Sequence, residues 1–201
     1  MKHFSIIAFV LILMLGACTP NTIIPAYVYE SNPNYSYGYA EFFGSYYAAY
    51  GNKNHVLSLT FLSDSLKINN IGQLEGIGQY LFLEDVFVDS TVTILPTGTY
   101  TIDNSGAPFT VAPGKNDTVD NAVFPIGATI YYYEPNPTKS TQKLITQGSF
   151  TLNRSGLNYQ IIFNFITDDK KELKGSYDAT LSYIDESIIT NASGIRRKIK
   201  Q

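Results

Sequence analysis

Three stretches of the chain, residues 57–61, 159–165 and 173–183, alternate regularly in the character of their side chains. A period of two puts successive side chains on opposite faces of an extended chain, so each stretch is predicted to be a β-strand. Turn-forming clusters at 51–54 and 153–156 separate such strands. Outside the N-terminal segment, no window longer than a few residues keeps a helical period. The pattern therefore predicts an all-β body: an antiparallel β-sandwich of jelly-roll or immunoglobulin-like type, with a barrel as the alternative.

Further elements follow from the same pattern. Residues 35–50 and 55–62, joined by the turn at 51–54, are predicted to form the first hairpin. The apolar stretch 74–88 is predicted to bend at its two early glycines and then to run as a strand buried over much of both faces. Residues 114–121 are predicted to be a loop, and the last three strands to form a meander.

The beginning of the chain has a different pattern. Lys2 and His3 supply positive charge, and residues 4–15 are apolar apart from one serine, which is short of the roughly 20 residues that a membrane-spanning helix needs. The following Leu15-Gly16-Ala17-Cys18 resembles the lipobox of bacterial lipoprotein signals. This resemblance implies cleavage before Cys18, a diacylglyceryl thioether on its sulfur and acylation of the new amino group. The alternative is an ordinary signal peptide followed by a chance cysteine.

Composition divides the chain into four parts. Residues 1–17 are predicted to be the lipoprotein signal peptide, 18–38 a flexible tether with three prolines, 39–186 the β-domain and 187–201 a basic C-terminal tail. Because Cys18 is the only cysteine, an intramolecular disulfide is excluded. The β-domain is long enough to bury a core without disulfides or metals.

Charge narrows the range of partners. The chain has 17 acidic and 14 basic residues, so a nucleic-acid partner is not expected. The partner that the lipobox implies is a lipid bilayer, held through acylated Cys18 by two or three acyl chains. We therefore expect a lipid anchor at the outer membrane, with the periplasmic and exterior faces both left open.

Residues that carry out catalysis or bind metals are scarce. His55 is the only histidine after the signal, and it lies where a turn leads into a strand, as solvated polar residues often do. Glu84 and Asp85 have the side chains of a glycosidase pair, but neighbours on a regular strand point to opposite faces and do not flank one bond. The turn 103–106 lacks the spacing and the distal glutamate of a calcium loop. We therefore expect no enzymatic activity and no cofactor or metal.

Tyrosine is abundant, with 16 residues, whereas tryptophan is absent. A tyrosine ring offers an apolar face and a hydroxyl, which suits sugars, although aromatic residues also fill β-sheets for packing reasons. Tyr46 and Tyr47 are predicted to point to opposite faces of the first hairpin, and Tyr132 to oppose Tyr131 and Tyr133. The candidate ligand contacts are therefore Tyr46, Tyr47 and Tyr132. An exposed tyrosine from each segment is expected to bracket a sugar ring.

Four blocks of the body resemble recurring blocks of uncharacterised lipoproteins from Bacteroidetes-type gut bacteria. They are LEDVF at 83–87, LPTGTY at 95–100, GSFTL at 148–152 and GSY at 175–177. Their order and spacing over most of residues 39–185 carry the resemblance. It implies a β-sandwich in the cell envelope and no particular reaction.

Three triplets, at 64–66, 89–91 and 117–119, are similar to the acceptor motif of general O-glycosylation in the same bacteria. With the lipobox, the sequence predicts a membrane-anchored envelope lipoprotein that acts as a non-enzymatic binding or structural module. Its expected partner, besides the bilayer, is a polysaccharide or another envelope protein. The alternatives are an adhesion or pilus-like component and an unrecognised hydrolase.

Overall fold

The computed structural model describes residues 29–136 and 140–187. The predicted signal peptide, Cys18, most of the predicted tether and residues 188–201 of the predicted tail lie outside the described residues. Within the described part, the chain forms fourteen strands and one short 3₁₀ helix. They are β1 (Asn34–Gly44), the 3₁₀ helix (Ala48–Tyr50), β2 (His55–Ser63), β3 (Leu66–Ile68), β4 (Leu74–Gly76), β5 (Gly78–Val88), β6 (Gly98–Ile102), β7 (Thr110–Val111), β8 (Lys115–Val119), β9 (Ala122–Ile126), β10 (Ala128–Tyr133), β11 (Thr141–Ser155), β12 (Asn158–Thr167), β13 (Glu172–Thr180) and β14 (Ser182–Asp185).

The main sheet closes into a barrel. Eight strands pair in the ring β1–β2–β5–β7–β6–β11–β12–β13, and β13 pairs with β1 to close it. The strands β5 and β11 are long enough to pair with different neighbours at their two ends. At one end β10 lies between them, and at the other end β7 and β6 do. The all-β prediction is confirmed, in the form of its barrel alternative.

The barrel is mixed rather than purely antiparallel. The meander β11–β12–β13 is antiparallel as predicted, and so is the first hairpin, β1–β2. Parallel pairs occur where β1 meets β13 and β14, and where β6 meets β7. β1 is the first strand of the ring along the chain and β13 is the last. These two strands run in the same direction, and their parallel pairing closes the barrel.

Aromatic rings fill the inside of the barrel. The Phe61 ring lies 5.0 Å from that of Phe163 and 5.1 Å from that of Tyr177, measured between centroids. Tyr100 stacks on Phe150 with 4.6 Å between the ring centroids. All five side chains are almost fully buried. Much of the tyrosine and phenylalanine supply therefore serves packing, and the interior is a solid core rather than a channel.

Two boundaries differ from the sequence-based expectation. β1 begins at Asn34, one residue before the predicted start of the first hairpin, so residues 34–38, which the domain boundaries assign to the tether, belong to the barrel. The physical reason is Tyr35, whose ring is buried and lies 5.6 Å from that of Phe163. The predicted loop at 114–121 is wrong, because Lys115–Val119 pairs with Ala122–Ile126 as a hairpin.

The β8–β9 hairpin turns at two residues with left-handed backbone. Asp120 and Asn121 have φ angles of +51° and +65°. Aspartate and asparagine tolerate this conformation better than most residues, and a two-residue turn of this kind suits the twist of a hairpin. The sequence feature that could have predicted this hairpin is the Asp120-Asn121 dipeptide, which lies between two short runs of strand-forming residues.

The two ends of the barrel differ in what lies there. We call the end at which the described chain starts, residues 29–33, the base. Here the side-chain amide of Gln79 makes two hydrogen bonds to the backbone of Glu30. Its Oε1 accepts from the Glu30 N–H at 2.9 Å, and its Nε2 donates to the Glu30 carbonyl at 3.0 Å. The backbone N–H of Lys174 donates to Ser31 O at 2.7 Å. We call the opposite end, where β1 and β5 finish, the top.

Candidate functional site

A cleft opens at the top of the barrel. Its volume is about 310 Å³, and it lies between the β1–β2 loop, the second half of β5 and the loop that follows β6. Its lining combines aromatic rings with carboxyl, amide, hydroxyl and amine groups. The residues with side chains of these kinds are Tyr47, Tyr50, Asn52, Asp85, Phe87, Asp103, Asn104, Ser105 and Lys115.

The aromatic wall of the cleft comes from the β1–β2 loop. The 3₁₀ helix there ends at Gly51, whose φ of +88° allows the chain to turn back towards β2. The Tyr47 ring lies 5.9 Å from that of Phe87 and 6.5 Å from that of Tyr50. Tyr47 is half-buried, whereas Tyr50 is 85% exposed. The loop therefore holds one ring in place and offers the next one to solvent.

Asp85 reaches the cleft through a bulge in β5. Leu57 is paired with Val86 and Leu59 with Leu83, so two steps on β2 match three on β5. The extra residue in β5 falls at positions 84–85. Neighbouring residues of a regular strand point to opposite faces, and this argued against Glu84 and Asp85 as a pair. The bulge interrupts the regular alternation, so the argument does not hold at this point of β5.

Each of these two carboxylates has a donor of its own. The Tyr47 hydroxyl donates to Asp85 Oδ2 at 2.8 Å. The Gly127 N–H donates to Glu84 Oε2 at 2.7 Å, and the Glu84 carbonyl accepts a hydrogen bond from the Ser58 hydroxyl at 2.6 Å. The pair therefore fixes the positions of the β1–β2 loop and of the β9–β10 junction around the cleft.

The loop 103–106 forms the polar wall. The side chain and backbone N–H of Ser105 bond to the Asp103 carboxylate, which lowers its pKa below the usual range. The side-chain amides of Asn52 and Asn54 donate to Gly106 O at 2.9 and 2.8 Å and tie this loop to the β1–β2 loop. Gly106 has a left-handed φ of +65°, which favours glycine, and a Cβ there would also displace the Asn52 amide, 2.5 Å away.

Among residues 29–136 and 140–187, no group of three or more histidine, cysteine, aspartate or glutamate side chains has the geometry to hold a metal ion. The turn 103–106 is tied together by hydrogen bonds from Ser105 N–H to the Asp103 carboxylate and from the Asn52 amide to Gly106 O.

The tyrosines predicted as ligand contacts lie in two separate places. Tyr46 and Tyr47 are in a loop rather than in a strand, and their half-buried rings contact each other edge to face at 4.9 Å. Tyr132 lies near the base, where it pairs with Gln79 and donates to Glu134 Oε2 at 3.0 Å. Six positions of β5 separate Gln79 from Asp85, or about 20 Å at about 3.3 Å per residue. The structure therefore brings Tyr46 and Tyr47 together and leaves Tyr132 away from them.

Tyr50 is the residue that the sequence analysis did not single out. The sequence feature that pointed to an exposed ring was the position of Tyr50 directly before the turn residue Gly51, where few neighbouring side chains are close enough to pack against it. His55, by contrast, is outside the cleft lining. Its Nδ1 lies 2.8 Å from Val92 O, and its ring contacts the edge of Phe42 at 5.2 Å. His55 therefore connects the start of β2 to the segment 89–97.

Comparison with known proteins adds no assignment: no protein-family model, no curated protein and no solved structure matches the chain. Among the described residues, no helix has the length and apolar character needed to cross a bilayer.

Proposed function

We propose that this protein is a lipid-anchored lipoprotein of the cell envelope whose barrel binds polysaccharide, without catalysis, in the cleft at the top. The observation that carries the binding proposal is Tyr50, an 85% exposed ring beside a cleft rich in hydrogen-bonding groups. The lipobox that ends at Cys18 supports the anchor.

The lining of the cleft favours a neutral or amino sugar over an acidic one. Asp85 and Asp103 contribute carboxyl groups, and Lys115 contributes the amine. The Asp103 carboxylate, whose pKa the hydrogen bonds from Ser105 hold below its usual range, would repel uronate or sulfate groups. Carboxylate and amide groups bond well to sugar hydroxyls, while an aromatic face covers the C–H face of the ring.

The position of the cleft suits a tethered binding protein. The described chain starts at the base, eleven positions after Cys18, and the cleft opens at the other end of the barrel. A ligand in the cleft would therefore meet the end that lies farther from the proposed lipid attachment.

Replacement of Tyr50 by alanine is expected to weaken binding of a neutral glucan or mannan about tenfold, a loss of about 1.4 kcal/mol. The free energy of unfolding should change by no more than about 0.5 kcal/mol, because the ring packs little. Isothermal titration of the purified protein, with urea unfolding beside it, measures both. Tyr37→Ala is the matched control, since Tyr37 is also exposed but lies in the first half of β1.

Three outcomes of this experiment separate the functions. Equal affinity in both variants and the parent protein, or no binding of any neutral or amino-sugar polymer, would contradict the cleft as a glycan site. Preference for alginate over neutral polymers would contradict the charge argument. An increase in reducing ends during incubation would support the hydrolase alternative instead.

The adhesion alternative has one observation in its favour. β14 pairs with β1, and among the described strands it has no second neighbour. Its four residues are exposed, and such an edge is able to receive a strand from another molecule. Concentration-dependent growth of polymers in light scattering would support this alternative, and a monomer at all concentrations would remove its support.

A further inference from the structure

The β3–β4 hairpin leaves the barrel at its base. It connects the end of β2 to the start of β5, and Leu66 is buried at its root. The root is tight: a Cβ on Gly76, whose φ is +102°, would lie 2.0 Å from Ser65 O. The hairpin is therefore firmly attached and has a fixed direction relative to the barrel.

The outer part of this hairpin exposes large apolar side chains. Ile71 at the tip is 77% exposed and Ile68 beside it is 39% exposed, while Ile77, just beyond the Leu66–Gly76 pair at the root, is 53% exposed. The tip is ordered by Asn69, whose side-chain oxygen accepts from the N–H of Ile71 at 3.1 Å and from that of Gln73 at 2.9 Å. These hydrogen bonds hold the turn in one conformation that directs Ile71 outward.

The hairpin lies beside the point where the chain enters the barrel. Gln79, whose side chain holds Glu30, also donates its backbone N–H to Ser63 Oγ at 3.3 Å, next to the hairpin root. Eleven residues separate Tyr29 from Cys18, and this length spans at most about 40 Å when fully extended. An acylated Cys18 would therefore keep the base within about 40 Å of the membrane.

Tyrosines surround the same end of the barrel. Tyr80 and Tyr131 stack with 4.7 Å between ring centroids, and Tyr133 donates to Leu74 O in the hairpin at 3.2 Å. Burial raises the pKa of the Tyr131 phenol above its usual value. Tyrosine side chains are enriched at the boundary between membrane and water, where one end is apolar and the other is hydrated.

The two charged side chains on the strands of the hairpin pair with each other. Lys67 and Glu75 face each other across β3 and β4 and pair at 3.7 Å. The hairpin therefore has no net charge from this pair, and residues 68–73 at its tip carry no charged side chain: the exposed isoleucines stand beside the uncharged amides of Asn69, Asn70 and Gln73.

We propose that the tip of the β3–β4 hairpin, with Ile71 foremost, inserts into the surface of the lipid bilayer to which Cys18 is attached. This inference rests on the lipid anchor of the proposed function and is independent of glycan binding. The hairpin acts as a second contact that limits rotation of the barrel on its tether and points the cleft away from the membrane. The surface that the uncharged tip contacts is lipid, not protein.

The lone cysteine of the chain makes a direct test possible. Because the proposed acylation consumes the Cys18 thiol, a reporter cysteine at Ile71 is the only site for a thiol-reactive environment-sensitive dye. Leu157→Cys is the matched control, since Leu157 is an apolar turn residue with 73% exposure at the top. The full-length acylated proteins are reconstituted in phosphatidylcholine vesicles with and without doxyl-labelled lipid.

The dye at position 71 is expected to shift to the blue and to be quenched by doxyl lipid about threefold more than the dye at 157, as insertion by about 5–10 Å requires. Ile77→Cys serves as a second reporter and should show a smaller effect of the same sign. Flotation with the vesicles but equal quenching at 71 and 157 would overturn the hairpin proposal alone. Failure to float would overturn both the anchor and this inference. A blue shift without quenching would indicate a second protein copy over the tip and would also overturn it.

Discussion

Replacement of Cys18 by serine is expected to move nearly all of the protein from the membrane fraction to the soluble fraction and to abolish its labelling by palmitate. Each methylene buried in the bilayer contributes about 0.8 kcal/mol, so two or three acyl chains hold a protein almost permanently. Serine has no thiol to receive the diacylglyceryl group. Fractionation, radiolabelling and the mass of the mature chain measure the effect.

The control for this experiment keeps the cysteine. Thr19→Ser changes the neighbouring side chain without removing the acceptor, and it should leave fractionation and labelling as they are. A parent protein whose mass lacks residues 1–17 and includes acyl groups would agree with the lipobox interpretation. Unchanged fractionation of the Cys18→Ser variant would contradict it, and the inserted hairpin would then lose its premise.

Truncation of Phe163 to alanine is expected to cost about 3–5 kcal/mol of the free energy of unfolding, as large core aromatics do. The Phe163 side chain is 1% exposed, and its ring meets those of Phe61 at 5.0 Å and Tyr35 at 5.6 Å. These contacts join β12 to β2 and to the start of β1 across the barrel interior. Loss of the ring leaves a cavity that the surrounding strands cannot close without moving.

The neighbouring residue supplies the control. Ile162 lies on the same strand and is 65% exposed, so Ile162→Ala should change stability by no more than about 0.5 kcal/mol. Urea unfolding followed by tyrosine fluorescence compares the two variants with the parent. Similar losses in both would mean that β12 does not alternate between the interior and solvent, and the barrel described above would be incorrect.

The sequence predicted best where one strand face is buried and the other is solvated. β12 and β13 alternate from end to end because each has the core on one side and water on the other, and this is the pattern that period-two reasoning detects. Closure into a barrel was beyond such reasoning. It depends on β5 and β11 each pairing with different strands at their two ends, which is a long-range choice that no local pattern records.

The candidate site could be predicted only in part. Tyr47 was identified, but for the wrong geometry, because the chain turns at the 3₁₀ helix instead of continuing as a strand. Asp85 was set aside by a rule that the bulge in β5 breaks. The cleft forms where loops from distant parts of the chain meet, and Gly106 is in contact with Asn52 only after folding. Tyrosine content alone did not separate packing rings such as Tyr100 from the exposed ring.

The measurement that tests the central claim most directly is ¹⁹F NMR of the full-length acylated protein, carrying fluorotyrosine, in lipid nanodiscs. Tyr50→Phe, Tyr47→Phe and Tyr132→Phe variants identify the three resonances, one at the cleft rim, one in its wall and one near the base. On addition of a neutral glucan fragment, we expect the Tyr50 resonance to shift most, that of Tyr47 to follow, and that of Tyr132 to stay in place. A shift at Tyr132 without a shift at Tyr50, or saturable binding that moves none of the three, would contradict the cleft as the binding site.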